Sequence, residues 1–539
     1  MNKDFLALIL LAFPFFLQSQ ISFTNETEKL LPSDGPVRSG NAIGVCDING
    51  DYKDDIVQFL NSSELYIQLQ TAPNFKFQEI NSGNTSNQFL WSMLGADFDN
   101  DGDGDIISGV NGRINYHKNE DGNFNASRIS NSNFFVQNQN AVDINSDGLL
   151  DLFACDDNNF NKIYLNIDGE LEYSAAASEV FKITADTSFN GDNSGNYGSI
   201  FSDIDNDGDL DLYISKCKEG ETDPSNIRRV NQLWINTGEG NYSERGSQWN
   251  LDIGNQTWAT DFGDLDNDGY LDLVMINHKA PSLIMSNSGF NFNVETTIAA
   301  GEIPIQGVLH DFDNNGYLDI LISGFEHFLY LNYGDFNFVL VEQPFEAAQI
   351  ESFGVGDLNS DGFLDVYAGY GIPFNKPGFR DDAVFINDGN ENNYIKFSLN
   401  GNVSNKNGVG ARVEIYGPFG FQQREIQVGD SYGITNSNNA HFGLGAHTTI
   451  DSVIVSWPSG IRDKYDAMEG NTHYLINENT CISEITDVNG GPLIKFCDED
   501  TLVVSALENF ESYKWNNGDS TKDIRIFDEG SYSFIATNQ

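Results

Sequence analysis

The stretch Asp203-Ile-Asp205-Asn-Asp207-Gly208-Asp-Leu-Asp211 recurs, with variations, seven times along this chain. Carboxylates stand at positions 1, 3, 5 and 9 of the stretch, and a Gly stands at position 6. Alternate residues in a tight loop can aim their oxygens at one point. Gly at position 6 supplies the positive φ that a larger side chain resists. Such a cage of hard oxygen donors suits Ca²⁺.

The first three loops carry Asp47, Asn49, Asp51 and Asp55, then Asp97, Asp99, Asp101 and Asp105, then Asp143, Asn145, Asp147 and Asp151. Asp203, Asp205, Asp207 and Asp211 form the fourth, and Asp264, Asp266, Asp268 and Asp272 the fifth. Asp311, Asp313, Asn315 and Asp319 form the sixth, and Asp357, Asn359, Asp361 and Asp365 the seventh. Up to seven Ca²⁺ ions are therefore expected. The first loop has Tyr52 in place of the Gly and is expected to be the weakest site.

An EF-hand needs a bidentate Glu at position 12 between two helices. Here that position holds Gln58, Ser108, Ala154, Ile214, Met275, Ile322 and Ala368, and the flanks are short apolar runs such as Leu271-Asp-Leu-Val-Met-Ile276. The loop starts are 50, 46, 60, 61, 47 and 46 residues apart. That period fits one four-stranded propeller blade per repeat. A third strand follows each loop, as in Gln232-Leu-Trp-Ile235 and Phe328-Leu-Tyr-Leu331, and then a Gly/Asn turn and a fourth strand. The last repeat lacks a fourth strand after Asn387, and Ile21-Ser-Phe-Thr24 is expected to supply it, closing an otherwise open edge.

The formal charge of −52 disfavours nucleic acid and anionic lipid as partners. Met1-Asn-Lys3 and an apolar run from Phe5 to Leu17 read as a secretory signal over residues 1–20, too short to span a membrane. The expected location is therefore extracellular, possible surface association included, with no membrane span. The five cysteines, Cys46, Cys155, Cys217, Cys481 and Cys497, imply no disulfide framework; a Cys481–Cys497 bridge and a buried Cys46 thiol are the expectations.

These repeats resemble the FG-GAP/VCBS family of calcium-binding propeller repeats found in integrin α heads. A second block, Ser404-Asn-Lys-Asn-Gly-Val-Gly-Ala-Arg-Val-Glu-Ile415, Ala440-His-Phe-Gly-Leu-Gly445 and Ser452-Val-Ile-Val-Ser-Trp-Pro-Ser-Gly460, resembles the ASPIC/UnbV domain that follows such repeats in proteins similar to cartilage acidic protein. The fold expected is all-β. It comprises a seven-bladed β-propeller over 21–390, a β-rich ASPIC/UnbV module over 391–478 with Val413, Ile415, Val453 and Val455 facing its core, and a partial Ig-like sandwich over 479–539. The last unit is similar to modules of secreted Bacteroidetes proteins and stops without an obvious final strand, as a fragment would.

Catalytic signatures are lacking: no HExxH, GxSxG, P-loop or telling Cys–His spacing occurs. Of seven histidines only His441 lies in a recognisable motif, where a core role is expected. The leading expectation is an adhesion or recognition protein for an extracellular glycan or protein ligand. The alternatives are a polysaccharide lyase or hydrolase on the same propeller, or a purely structural surface component. The connections between second and third strands gather Lys216, Lys218, Arg228, Arg229, Lys279, Lys376 and Arg380, with Phe160, Phe374 and Phe379. With the 174–197 insertion they form the expected ligand face, opposite the acidic loops.

Overall fold

The computed structural model describes residues 21–480, apart from 32–37, 40–42, 61–63, 72–73, 81–89, 111, 131–134, 183–193, 239, 342–343, 347–348, 373–375 and 378–379. Beyond 480 it describes six strands and isolated neighbouring residues. Residues 1–20, expected to be a leader, and Phe374, Phe379, Cys481, Cys497 and the centre of the 174–197 insertion lie outside the described residues.

In every repeat, position 9 of the acidic loop is the first residue of the second strand: Asp55, Asp105, Asp151, Asp211, Asp272, Asp319 and Asp365. The loop is thus a hairpin turn between a first and a second strand. Antiparallel pairing through the third strand to the fourth builds four-stranded units, for example Thr257–Gly263, Asp272–Asn277, Ser282–Asn287 and Phe292–Ile298. Seven such units are paired among the described residues.

The first strands pack side by side in chain order: Ile43–Cys46, Leu90–Ala96, Val136–Val142, Asn196–Ser202, Thr257–Gly263, Pro304–His310 and Ile350–Gly356. Ile350–Gly356 then lies against Ile43–Cys46, which closes a ring. This radial array is a β-propeller-like fold.

The N-terminal strand supplies the missing outer strand. Phe23–Asn25 pairs antiparallel with Ala383–Asn387, with Phe23 opposite Asn387 and Asn25 opposite Phe385. The Ser22 and Thr24 hydroxyls both donate to the Asp388 carboxylate, at 2.6 and 2.7 Å. The Phe23 ring packs on Phe312 and Phe345, so sequence-distant ends share one core.

Residues 393–494 form two facing sheets. One holds Asn393–Asn400 between Ala440–Gly445 and a parallel His473–Asn477, and continues through Ile482–Val488 and Gly491–Ile494. The other is ordered Gly420–Glu425, Arg412–Gly417, Thr449–Ser456 and Arg462–Glu469. Val413 faces Val455 and Ile415 faces Val453, and all four are fully buried. Their alternation thus reads the module's core correctly. That core is continuous with the propeller: Leu94, Phe98, Ala141 and Leu152 belong to the same apolar cluster as Phe397, Val428 and Phe442. In the tail, Leu502–Ser505 pairs with Asp523–Ile526, and Ser512–Trp515 pairs with Phe534–Thr537.

Candidate metal centres beneath a seated module

All seven loops share one hydrogen-bond scheme, set by local sequence. The position 1 carboxylate accepts the backbone N–H of position 5 on Oδ1 and that of position 6 on Oδ2. In the fourth loop these are Asp207 N at 2.9 Å and Gly208 N at 3.0 Å. Positions 4 and 6 both adopt positive φ, as at Asn206 (61°) and Gly208 (95°). Tyr52 takes φ 63° and its N–H still donates to Asp47 Oδ2, at 2.6 Å. The first loop therefore keeps the common backbone, at the cost of a strained non-Gly residue.

Position 9 does more than the sequence indicates. Each of these aspartates is buried, and its two oxygens accept backbone N–H groups from the loop and from the end of the third strand. Asp272 accepts Leu265 N and Asn287 N, both at 2.9 Å. The same pair of bonds holds Asp319 to Phe312 and Asn332, and Asp55 to Ile48 and Gln70.

An Asn recurs near the end of the third strand and ties adjacent loops together. Asn332 Nδ2 donates to Leu318 O of its own loop at 3.0 Å and to Leu265 O of the preceding loop at 2.8 Å. Asn119, Asn166, Asn287 and Asn387 do the same, and Gln70 Nε2 donates to Asp357 O, carrying the chain of clamps across the closure. The sequence carries the signal in six of the seven repeats, as an Asn at the end of the third strand with a Gly two or three residues on; the first repeat has Gln70 instead.

Carboxylate oxygens converge closely enough to hold one ion at Asp97/Asp99/Asp101, Asp203/Asp205/Asp207, Asp264/Asp266/Asp272 and Asp311/Asp313/Asp319. The first, third and seventh loops have Asn49, Asn145 and Asn359 at position 3 instead, and Asn359 Nδ2 bonds Asp361 Oδ2 at 2.8 Å. The residues fit a cation. Asp99 Oδ1 and Asp205 Oδ1 are buried without a hydrogen-bond partner, as ligand atoms would be. Burial, aided by neighbouring carboxylates, pushes Asp97, Asp203, Asp264 and Asp311 up to about 7, and Asp272 to about 8. A bound cation relieves both causes.

The 393–494 module sits on this loop face. Arg412 Nη2 is 2.6 Å from Asp203 Oδ2 and Lys396 Nζ is 2.9 Å from Asp357 Oδ2. Asn407 Oδ1 accepts Asp97 N at 2.7 Å, and His441 Nε2 lies 2.7 Å from Asn314 Oδ1 in the sixth loop. His441 is buried, and that burial holds it well below the usual imidazole range, which fits a core role.

From this seat the segment 428–437 enters the ring of first strands. Ala141 N donates to Val428 O, Met93 N to Gly433 O and Val45 N to Thr435 O. Gln306 Nε2 donates to Tyr432 O, Gly307 N to Ser431 Oγ and Val355 N to Asn436 Oδ1. At the far end the Tyr432 ring packs on Tyr197 and Trp258. The module thus covers one face and fills the axis.

On the opposite face the expected basic cluster is partly corrected. Lys216 is fully buried, its Nζ donating to Asn196 Oδ1 at 2.7 Å, because it ends a second strand that packs on both sides. Lys218 pairs with Asp157 and Arg228 with Glu221, while Arg229 donates to Gly254 O. Lys279 and Arg380 are exposed, the latter over the Tyr370 ring. Phe160 lies under Lys182. Cys46, Cys155 and Cys217 are buried free thiols, as expected for Cys46. No helix among the described residues is long and apolar enough to cross a membrane.

No curated protein sequence matches the chain. Among solved structures it is similar to a lectin from Agrocybe aegerita, studied for specific recognition of non-reducing terminal N-acetylglucosamine. That match has 18% identity, covers 57% of this chain and 80% of the lectin, and has a TM-score of 0.39. BBS1N in complex with ARL6DN gives 8% identity, 68% and 96% coverage and 0.42. The C-terminal WD40 domain of Sif2 gives 9%, 66%, 98% and 0.39. FG-GAP-like repeats match residues 47–108, 143–214, 221–275, 266–322 and 311–368, more than half of the sequence, and the ASPIC and UnbV domain matches 401–483. The chain belongs to the FG-GAP-like repeat family and carries an ASPIC and UnbV domain on its acidic loop face.

Proposed function

We propose that this is a calcium-loaded extracellular recognition module, exported by its N-terminal segment, that binds a glycan or protein ligand through the face opposite its acidic loops. The observation that carries the reading is the division of the two faces. The module and its axial segment occupy the loop face, so the second-to-third-strand connections form the broad face left for a partner, with Lys279 and Arg380 exposed there. Calcium in this reading is structural. It neutralises carboxylates that fold into close contact, and five third-strand Asn residues and Gln70 then tie loops to their neighbours.

Extracellular calcium modules bind with Kd of roughly 10⁻⁴–10⁻³ M. At about 1 mM Ca²⁺ such sites contribute roughly 0.4–1.4 kcal/mol each, or about 3–10 kcal/mol for seven. That is comparable to the net stability of a domain. The test is a melting curve with and without EGTA, followed by a glycan and protein array probed with calcium-loaded chain, reading binding and cleavage separately. A melting temperature insensitive to EGTA removes the calcium reading. Loss of array binding on charge reversal of Lys279 and Arg380 supports the face, and cleavage of a bound glycan would replace recognition by catalysis.

A further inference from the structure

The fourth and seventh loops share an arrangement built from opposite charges. At each, an acidic side chain accepts the backbone N–H of the first aspartate, and a basic side chain from the module holds that aspartate's Oδ2. In the fourth loop Glu425 Oε1 accepts Asp203 N at 3.1 Å and Arg412 Nη2 lies at 2.6 Å. In the seventh, Asp54 Oδ2 accepts Asp357 N at 2.8 Å and Lys396 Nζ lies at 2.9 Å. Among the described residues, Asp203 and Asp357 are the first-position aspartates that a basic side chain pairs with. Lys396 is only 5% exposed and the Arg412 side chain 17%, so both charges lie largely out of water beside their aspartates.

We propose that Lys396 and Arg412 are resident counter-ions that set the cation affinity of the seventh and fourth loops, holding each site weaker than its own ligands alone would make it. The inference rests on the reading of the loops as calcium sites. Two positive charges on one carboxylate repel each other, and the repulsion is large where water is excluded. Asp54 and Glu425 offset part of it, yet each reaches the first aspartate through its backbone N–H, whereas the base bonds the carboxylate itself. The sign follows: the base wins, and the cation binds less tightly than in a loop without one. When cations are scarce, the same two ion pairs keep the module seated on the loop face.

Calcium titration of the full chain by calorimetry, with site counting by native mass spectrometry, tests this. Lys396→Met and Arg412→Met are each expected to tighten one site by roughly tenfold. Lys396→Arg should leave the wild-type isotherm. Asp54→Asn keeps an acceptor for Asp357 N but removes the offsetting charge, so it should weaken one site several-fold; it decides the matter where a methionine variant does not fold. Unchanged or weaker binding in the methionine variants, or an unchanged Asp54→Asn isotherm, overturns the inference while wild-type binding stands. A wild-type chain that takes up no calcium overturns the loop reading and this inference with it.

Discussion

The backbone N–H of Val45, in the first strand of the first unit, donates to the carbonyl of Thr435 at 2.9 Å. Gly44 and Thr435 form a parallel bridge at the same point. The axis of the ring is thus completed by backbone from another module. First strands whose inward groups would face a channel instead find partners in 428–437, and that removes an unsatisfied polar lining.

Gly429 and Gly433 should be intolerant of any side chain. Both have positive φ, and a Cβ would lie 2.1 Å from Gln139 O at Gly429 and 2.4 Å from Trp91 O at Gly433. Gly433→Ala is expected to cost at least about 1–3 kcal/mol. Urea unfolding followed by near-UV circular dichroism measures it, and propeller and module signals should shift together.

Removing residues 21–30 should expose the edge of Ala383–Asn387 and strip Phe23 from Phe312 and Phe345. A lower melting temperature and aggregation are expected. Size-exclusion chromatography with thermal scans checks this; a truncated chain that elutes and melts like the full one contradicts the closure.

Asn332→Ala removes two donors from buried carbonyls and the acceptor for Gly334 N. A loss of about 2–4 kcal/mol is expected, because the orphaned groups stay buried. Asn332→Asp should be worse, since a carboxylate would then face two carbonyl oxygens. Chemical denaturation of both variants orders them.

Positions 3 and 9 of one loop should separate metal affinity from fold. Asp266→Ala is expected to cost one site's share of calcium stabilisation and little in EGTA. Asp272→Ala loses the bonds to Leu265 and Asn287 as well, so it should destabilise the metal-free protein by about 1–3 kcal/mol. Melting with and without EGTA distinguishes them.

Asp261 and Asp430 share the cavity of about 90 Å³ between ring and module, facing Arg424, Glu425, His310 and His441. Burial raises both carboxyls, and Asp430 raises Asp261 further. A carboxyl raised in the folded state contributes stability that is full below its unfolded value, near 4, and is lost as pH rises through the folded value. Asp430→Asn should therefore melt higher than wild type above neutrality, with the difference closing towards pH 4. Thermal scans across that range check the sign.

The loops were legible in the sequence because their causes are local. Alternating carboxylates bond their own backbone N–H groups within nine residues, and the positive φ at position 6 selects Gly. Strand alternation at Val413, Ile415, Val453 and Val455 is local too, and the missing strand after Asn387 left an edge that Phe23–Asn25 was able to fill. The tertiary structure decided the rest, for physical reasons. A Lys in a connection looks the same whether it ends in water, like Lys279, or between packed strands, like Lys216. The Asn at the end of a third strand acquires its meaning from a carbonyl in the preceding unit. The seat of the module follows from Lys396, Arg412 and Thr435 meeting groups more than thirty to nearly four hundred residues away, and no periodicity along the chain encodes which residues those will be.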